Sequence, residues 1–284
     1  MLSLAKRCVL LMSVLLFVAD LACAQIIDLS TGQALSEQKL VAHLRQQDVV
    51  LLGELHDNAQ HHALRAGLIK QLARAKLTVV AEHLPDGARV KAEGALLSDL
   101  QAAGFDAKGW SWPLHLPLFE AVRTADLLLV GGNLPKGFSK RLYSEGEAGL
   151  PAPLAQTYRA ATLDASATQR LDKDLIDGHC GKLPDKYLQP MRLVQRATDL
   201  SMAQALLDHQ PSVLVAGNGH VRKDYGVPQV LRALAPGLKF VSVGFYENDQ
   251  PLQELVKSFG GRYDILWLTE PAQRTDPCAD FKIK

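Results

Sequence analysis

The sequence predicts an α/β protein: a mainly parallel, three-layer sheet with flanking helices and a small helical insertion. Three observations predict it. Short apolar runs such as residues 48–53 and 77–81 alternate with stretches of helical period. The runs carry no alternate polar residue, as expected of strands buried on both faces. Each run then ends in glycine or in polar residues, and in such sheets ligands bind beyond the carboxyl ends of the strands.

The elements follow in order. Residues 48–53 read as the first strand. Asp57 or Asn58 caps a helix to about Ala75, with Leu64, Leu68 and Leu72 at a spacing of four. Residues 77–81 are the second strand, residues 87–103 a further helix, and residues 127–130 a third strand closed by Gly131 and Gly132. Pro190 starts a long helix through Leu207. Residues 212–216 form the fourth strand, a helix follows Pro228, and residues 239–244 and 265–268 are late strands. Residues from about 135 to 190 interrupt this rhythm with Ala, Leu and charge, and read as a helical insertion capping the sheet edge.

Composition is that of a globular chain: 284 residues, 48% hydrophobic, 21% charged, formal net charge +1. No basic patch or stripe speaks for nucleic acid as a partner. Lys6 and Arg7 precede an apolar run from Cys8 to Val18, and Ala22-Cys23-Ala24 precedes Gln25. Residues 1–24 thus read as a secretory signal peptide, leaving residues 25–284 as a single domain. Lipidation of Cys23 is the alternative. Asp20 and Leu21 stand where small or aliphatic residues are preferred, which favours simple cleavage. Export leaves Cys180 and Cys278, either a disulfide or two separate buried thiols.

Chemistry-bearing residues cluster after the strands. Gly53-Glu54-Leu55-His56 follows the first, with His61 and His62 on the next helical turn. Glu54 and His56 are two apart and project to one side in extended backbone. Glu82 follows the second strand, Asn133 the third, and Gly217-Asn218-Gly219-His220 the fourth. Glu54, His56, Glu82 and His220 are therefore the candidate catalytic set, or the ligands of a divalent metal. Asp57 alone reads better as a helix cap, at least one of His61 and His62 as solvated, and His83, opposite Glu82, as structural. Arg196 and Asp199 read as a surface pair three residues apart, or as an inward-turned Asp199. Trp110, Trp112, His115 and Phe119 are either core or the wall of a flat apolar ligand, with His115 as axial ligand. His179 beside Cys180 is another candidate ligand. Dinucleotide, P-loop, serine-elbow and zinc-helix signatures are missing.

These motifs resemble the ChaN family, haem-binding proteins of iron uptake in the superfamily of the Tiki proteases and erythromycin-esterase-like enzymes. The matching stretches are residues 52–58 with His61 and His62, Asn133-Leu134-Pro135, residues 178–181, Asp199 with Met202-Ala203, and residues 217–222 leading to Gly226-Val227-Pro228. The resemblance implies a parallel α/β sheet with a smaller helical part, haem as cofactor, and a homodimer enclosing haem between subunits. It also implies work with the haem-uptake machinery of the envelope. Placement is then periplasmic, or at the outer membrane through Cys23. Haem in the family is held by a tyrosine with histidine assisting. The first tyrosine here is Tyr143, so His115, Tyr143 and His179 are the candidate ligands, with Asn133 and Arg222 as further contacts. Thr198 stands where the family pattern leads one to expect arginine before Asp199, so a salt bridge there is expected to be lost. The competing functions are a hydrolase built on Glu54, His56, Glu82 and His220, with or without metal, and an envelope scaffold keeping a vestigial site.

Overall fold

A computed structural model describes residues 25–279 except 92 and 249. The expected signal peptide, Cys23 included, lies outside the described residues. Nine strands form one sheet: β1 (Gln25–Asp28), β2 (Gln33–Leu35), β3 (Val49–Leu52), β4 (Thr78–Pro85), β5 (Arg89–Val90), β6 (Leu128–Asn133), β7 (Ser212–Val215), β8 (Phe240–Glu247) and β9 (Ile265–Thr269). Ten α-helices accompany them among the described residues: α1 (Glu37–Leu44), α2 (Ala59–Leu72), α3 (Leu96–Ala102), α4 (Leu116–Thr124), α5 (Phe138–Glu145), α6 (Ala152–Ala160), α7 (Ala165–Gly178), α8 (Asp185–Asp208), α9 (Val227–Leu234) and α10 (Leu252–Phe259).

The strand order is β2-β1-β9-β8-β3-β7-β4-β6-β5. The pairings from β9 through β6 are parallel, whereas β1, β2 and β5 pair antiparallel at the edges. The fold is therefore mixed α/β with a mostly parallel sheet. Alternation along β3 explains its unbroken apolar run. Val50 and Leu52 pack with Leu68, Ile69, Leu118 and Phe119 on one face, and Val49 and Leu51 pack with Leu200, Leu206, Val230 and Leu231 on the other. Among the described residues no helix is long and apolar enough to cross a membrane.

The insertion is helical, as its composition implies: α5, α6, α7 and the start of α8, with Leu142, Leu150, Leu193 and Ala197 as a small core of its own. Other boundaries differ from expectation. The helix expected over residues 87–103 is a short edge strand, β5, followed by α3. The long helix starts at Asp185, with Pro190 inside its second turn, where the missing N–H gives up one bond, to the Lys186 carbonyl. Strands β1 and β2 and helix α1 carried no pattern strong enough to announce them.

Cys180 and Cys278 form a disulfide that closes a 98-residue separation. On its way there from β9, the C-terminal segment is held by Arg274. That side chain donates to Glu247 at the end of β8 and pairs with Asp57 after β3, at 2.6 Å. Asp57 is thus a surface anchor for Arg274, and Asn58 is the residue that caps α2.

Candidate functional site

Register brings the site together. Leu52 on β3 and Ala81 on β4 both pair with Val215 on β7, so the ladder joining these three adjacent strands ends level. The residues just beyond them emerge side by side: Glu54 and His56, Glu82 and His83, and Gly217 to His220. Glu54 is buried, and its Oε1 accepts from His56 Nδ1 at 2.7 Å. Across the neighbouring strand, Glu82 Oε2 accepts from the Gly217 N–H at 2.7 Å, and Glu82 Oε1 lies 3.5 Å from His220 Nε2. Gly217 sits between the two halves. A Cβ there would come within 2.7 Å of His56 Nε2 and 3.6 Å of Glu82 Oε2, so glycine is needed for the close approach. The structure thus brings Glu54, His56, Glu82 and His220 to one place.

Several partners escaped the sequence reading. His61 and His62 are both fully buried, and neither is solvated. His61 Nδ1 accepts from the Leu55 N–H at 3.0 Å and its Nε2 donates to Thr269, which pins the loop carrying Glu54 and His56. His62 Nε2 donates to the His56 carbonyl at 3.0 Å, which turns its Nδ1 toward Glu54 Oε2, 2.9 Å away. Arg65, one helical turn on, is fully buried and contacts that same oxygen. A buried carboxylate among imidazoles needs such a cation. The signal was present in the sequence: Arg65 occupies the stripe of α2 that also holds His61, His62, Leu68 and Ile69.

His83 does not point away from the site. Beyond Ala81 the register of β4 against β6 shifts, so strict alternation fails there. The bulge carries His83 toward Glu54, with Nε2 3.7 Å from Oε1. It also brings the Pro85 carbonyl against Gly131, where a Cβ would meet it at 1.8 Å. His115, the residue before α4, is likewise buried. Its Nδ1 donates to the Trp110 carbonyl at 2.9 Å, and its Nε2 faces Glu54 Oε1 at 3.5 Å. Trp110 covers His83, with ring centroids 4.4 Å apart.

The second shared group is Asp199–His220–Glu82. Asp199 turns inward from α8 and accepts from His220 Nδ1 at 2.7 Å. The surface-pair reading of Arg196 and Asp199 is corrected, since both are buried, 3.8 Å apart. The cation expected immediately before Asp199 is instead supplied by Arg196, one helical turn earlier, and Thr198 bonds its own helix.

Electrostatics divide the imidazoles into two kinds. Burial disfavours a charged His220, but Glu82 and Asp199 on either side outweigh it and raise its pKa to about 10. Glu82 in turn is held far below the carboxylate range by His220, His56 and His83 despite its burial, while burial raises Asp199. Burial lowers His61 to about 4. Burial, with His62 and Arg65 nearby, lowers His115 to about 3. Burial, with His115 and Arg65 alongside, pushes His83 well down. Neutral pH therefore leaves His220 cationic and His83 and His115 neutral.

The remaining candidates lie around this centre. Asn133, at the end of β6, donates to the Glu82 carbonyl at 2.9 Å. Glu82, His83, Phe105, Trp110, Asn133, Lys136 and Ser139 line a cavity of about 610 Å³ at the sheet edge. Tyr143 is 39% exposed on α5, one turn beyond Ser139 on the same helix face. Arg222 does not face this cavity. It is buried against Asp174 and Asp224 and stacks on Tyr225, tying the loop after β7 to α7. His179 ends α7, its Nδ1 donating to the Leu175 carbonyl at 2.7 Å.

Comparison with known proteins agrees with this architecture. No curated protein matches the sequence. Among solved structures, ChaN of Campylobacter jejuni, described with cofacial haem binding, superposes with a TM-score of 0.70 at 20% identity. That match covers 86% of this chain and 96% of the other. The erythromycin esterase EreC aligns over 89% of this chain and 98% of its own at 14% identity, with a TM-score of 0.47. A Bacillus cereus protein aligns at 14% identity, covering 82% of this chain and 90% of its own, with a TM-score of 0.46. The model of the family described as haem-binding uptake, Tiki superfamily, ChaN matches residues 40–231, more than half of the chain and every strand end that builds the site, and the chain belongs to that family.

Proposed function

We propose that this protein binds haem at the open side of the sheet's carboxyl edge, as an exported envelope protein serving haem and iron acquisition. The observation that carries the reading is the cavity of about 610 Å³ beside the site. A porphyrin requires flat apolar walls, an axial donor and cations for its propionates. Phe105, Trp110, Leu134 and Pro135 supply apolar wall, and Lys136 supplies a cation at the rim. Tyr143, on the same face of α5 as Ser139, offers an accessible phenol oxygen as axial donor for the iron. The residues present therefore fit the group. His115 fits the axial role less well: it is buried and its free nitrogen is directed at Glu54. Bound haem supplies iron that can be carried and released. The chain supplies the walls, the donor and the exclusion of water. The Cys180–Cys278 disulfide supports an oxidising compartment, periplasmic or anchored at the outer membrane through Cys23. The exposed Tyr143 supports closure of the haem face by a second copy of the chain.

Titration of the purified apo-protein with haemin tests the reading. A saturable Soret shift is expected, changed in Tyr143→Phe and retained in His115→Ala. No saturable shift for the wild-type chain sinks it.

One observation favours a second activity, hydrolysis. His56 is half-exposed, its Nδ1 is held by Glu54, and its Nε2 faces Gly217 and Glu82. An imidazole oriented by a carboxylate can take a proton from water. Ester hydrolysis lost in His56→Ala, with haemin binding intact, supports it.

A further inference from the structure

Two buried histidines carry ring nitrogens without a hydrogen-bond partner, and a third buried group, already tied to His56, faces them. His83 has no hydrogen-bond partner for either ring nitrogen, and His115 Nε2 has none. Orphaned buried polar atoms are costly and call for an explanation, an ion among them. The third group is Glu54. Arg65 contacts its Oε2, so Oε1 is the oxygen facing the two imidazoles, 3.5 Å from His115 Nε2 and 3.7 Å from His83 Nε2.

We propose that Glu54 Oε1, His83 Nε2 and His115 Nε2 form a buried site for one divalent first-row transition-metal ion. The site shares only Glu54 with the Glu54, His56, Glu82 and His220 set that the sequence suggests, and it does not depend on the haem reading. The three atoms lie within 4.8 Å of one another. A tetrahedral ion about 2.0–2.1 Å from each ligand separates its ligands by about 3.4 Å, so two of the separations are already near that value. Two imidazoles and one carboxylate are the donor set of catalytic zinc and of non-haem iron(II) centres, both of which keep an open position.

The surroundings suit ligation. His115 Nδ1–H donates to the Trp110 carbonyl, which leaves Nε2 with its lone pair directed inward. Arg65 fixes the carboxylate from its far side. His56 donates to Oε1, but a carboxylate oxygen has a second lone pair for the ion. Trp110, Phe119 and His62 pack around the two imidazoles and limit solvent access. His83 also lines the cavity of about 610 Å³, which provides an entry path.

The test uses the full mature chain, stripped with chelator and dialysed. Equilibrium dialysis against Zn²⁺, and separately against Co²⁺, with elemental analysis should give one ion per chain at micromolar free metal. Co²⁺ should develop the intense visible bands of a four- or five-coordinate nitrogen–oxygen site. Anaerobic dialysis against Fe²⁺ identifies which ion is preferred. His83→Ala and His115→Ala should each weaken binding by more than about 100-fold, while His43→Asn, at an exposed position of α1, binds as the wild type does. Circular dichroism monitors folding of each variant. Should the buried-histidine variants fail to fold, the Co²⁺ spectrum of the wild type and a metal-dependent rise in its thermal midpoint decide the matter alone. Failure of the wild type to hold stoichiometric metal overturns the proposal. So does binding lost in His220→Asn but kept in a folded His83→Ala, which places the ion in the outer set. Haemin titration is read separately, so the two proposals fail independently.

Discussion

Replacing His220 by asparagine removes the imidazolium that stands between two buried carboxylates, Asp199 and Glu82. In the native chain His220 Nδ1 donates to Asp199 at 2.7 Å and Nε2 lies 3.5 Å from Glu82. Removing one partner of a buried ion pair costs about 3–5 kcal/mol, and here Glu82 loses its imidazolium while Asp199 keeps Arg196 at 3.8 Å. The pH dependence follows from the sign of the shift. The folded-state pKa of His220 is raised to about 10 from an ordinary 6.5. Its contribution is therefore fully present below pH 6.5 and is lost as pH rises toward 10. Over that window the advantage of wild type over His220→Asn should shrink, by up to about 1.4 kcal/mol per pH unit. Urea unfolding followed by circular dichroism, with the disulfide intact, at pH 6.5, 8 and 9.5 measures the gap directly. The double variant His220→Asn with Asp199→Asn should recover part of the loss, since only one buried carboxylate is then left. A gap below about 1 kcal/mol at pH 6.5, or one that does not narrow with pH, refutes the argument.

Other perturbations give independent checks. Arg65→Met strands Glu54 in a buried shell of imidazoles and should cost about 3–5 kcal/mol; adding Glu54→Gln should restore much of it, as read by chemical denaturation. Cys180→Ser opens the 98-residue closure and should lower stability by at most about 4–5 kcal/mol, with trypsin cutting after Arg274 sooner than in the wild type. Gly217→Ala places a methyl group 2.7 Å from His56 Nε2. Because His56 is half-exposed, it can yield by giving up its bond to Glu54, so the stability loss should be about 1–3 kcal/mol, while diethylpyrocarbonate labels His56 faster, by mass spectrometry.

Much of the site was legible because strand-end positions are set by short-range pattern. Apolar runs ending at Gly53, Ala81 and Ala216 mark where parallel strands stop. Polar residues immediately beyond must then meet once the strands are level, which is why Glu54, His56, Glu82 and His220 could be named together. The partners of that set were harder. His83 was misjudged because alternation holds only along an unbroken ladder, and the shift between Ala81 and Pro85 breaks it. Arg65 and His62 looked like ordinary helix residues because their buried face is only recognisable once α2 is docked on α4.

The chain's own pattern determined the alternation of strand and helix, the parallel core strands, the helical insertion and the family motifs, since periodicity and turn residues act over a few positions. Only the tertiary structure decided that Asp199 meets His220 from α8, that Cys180 meets Cys278, and that three buried groups face one another around Glu54 Oε1. Those contacts join segments tens of residues apart. Their geometry depends on register, bulge and helix docking, which no local run of residues encodes.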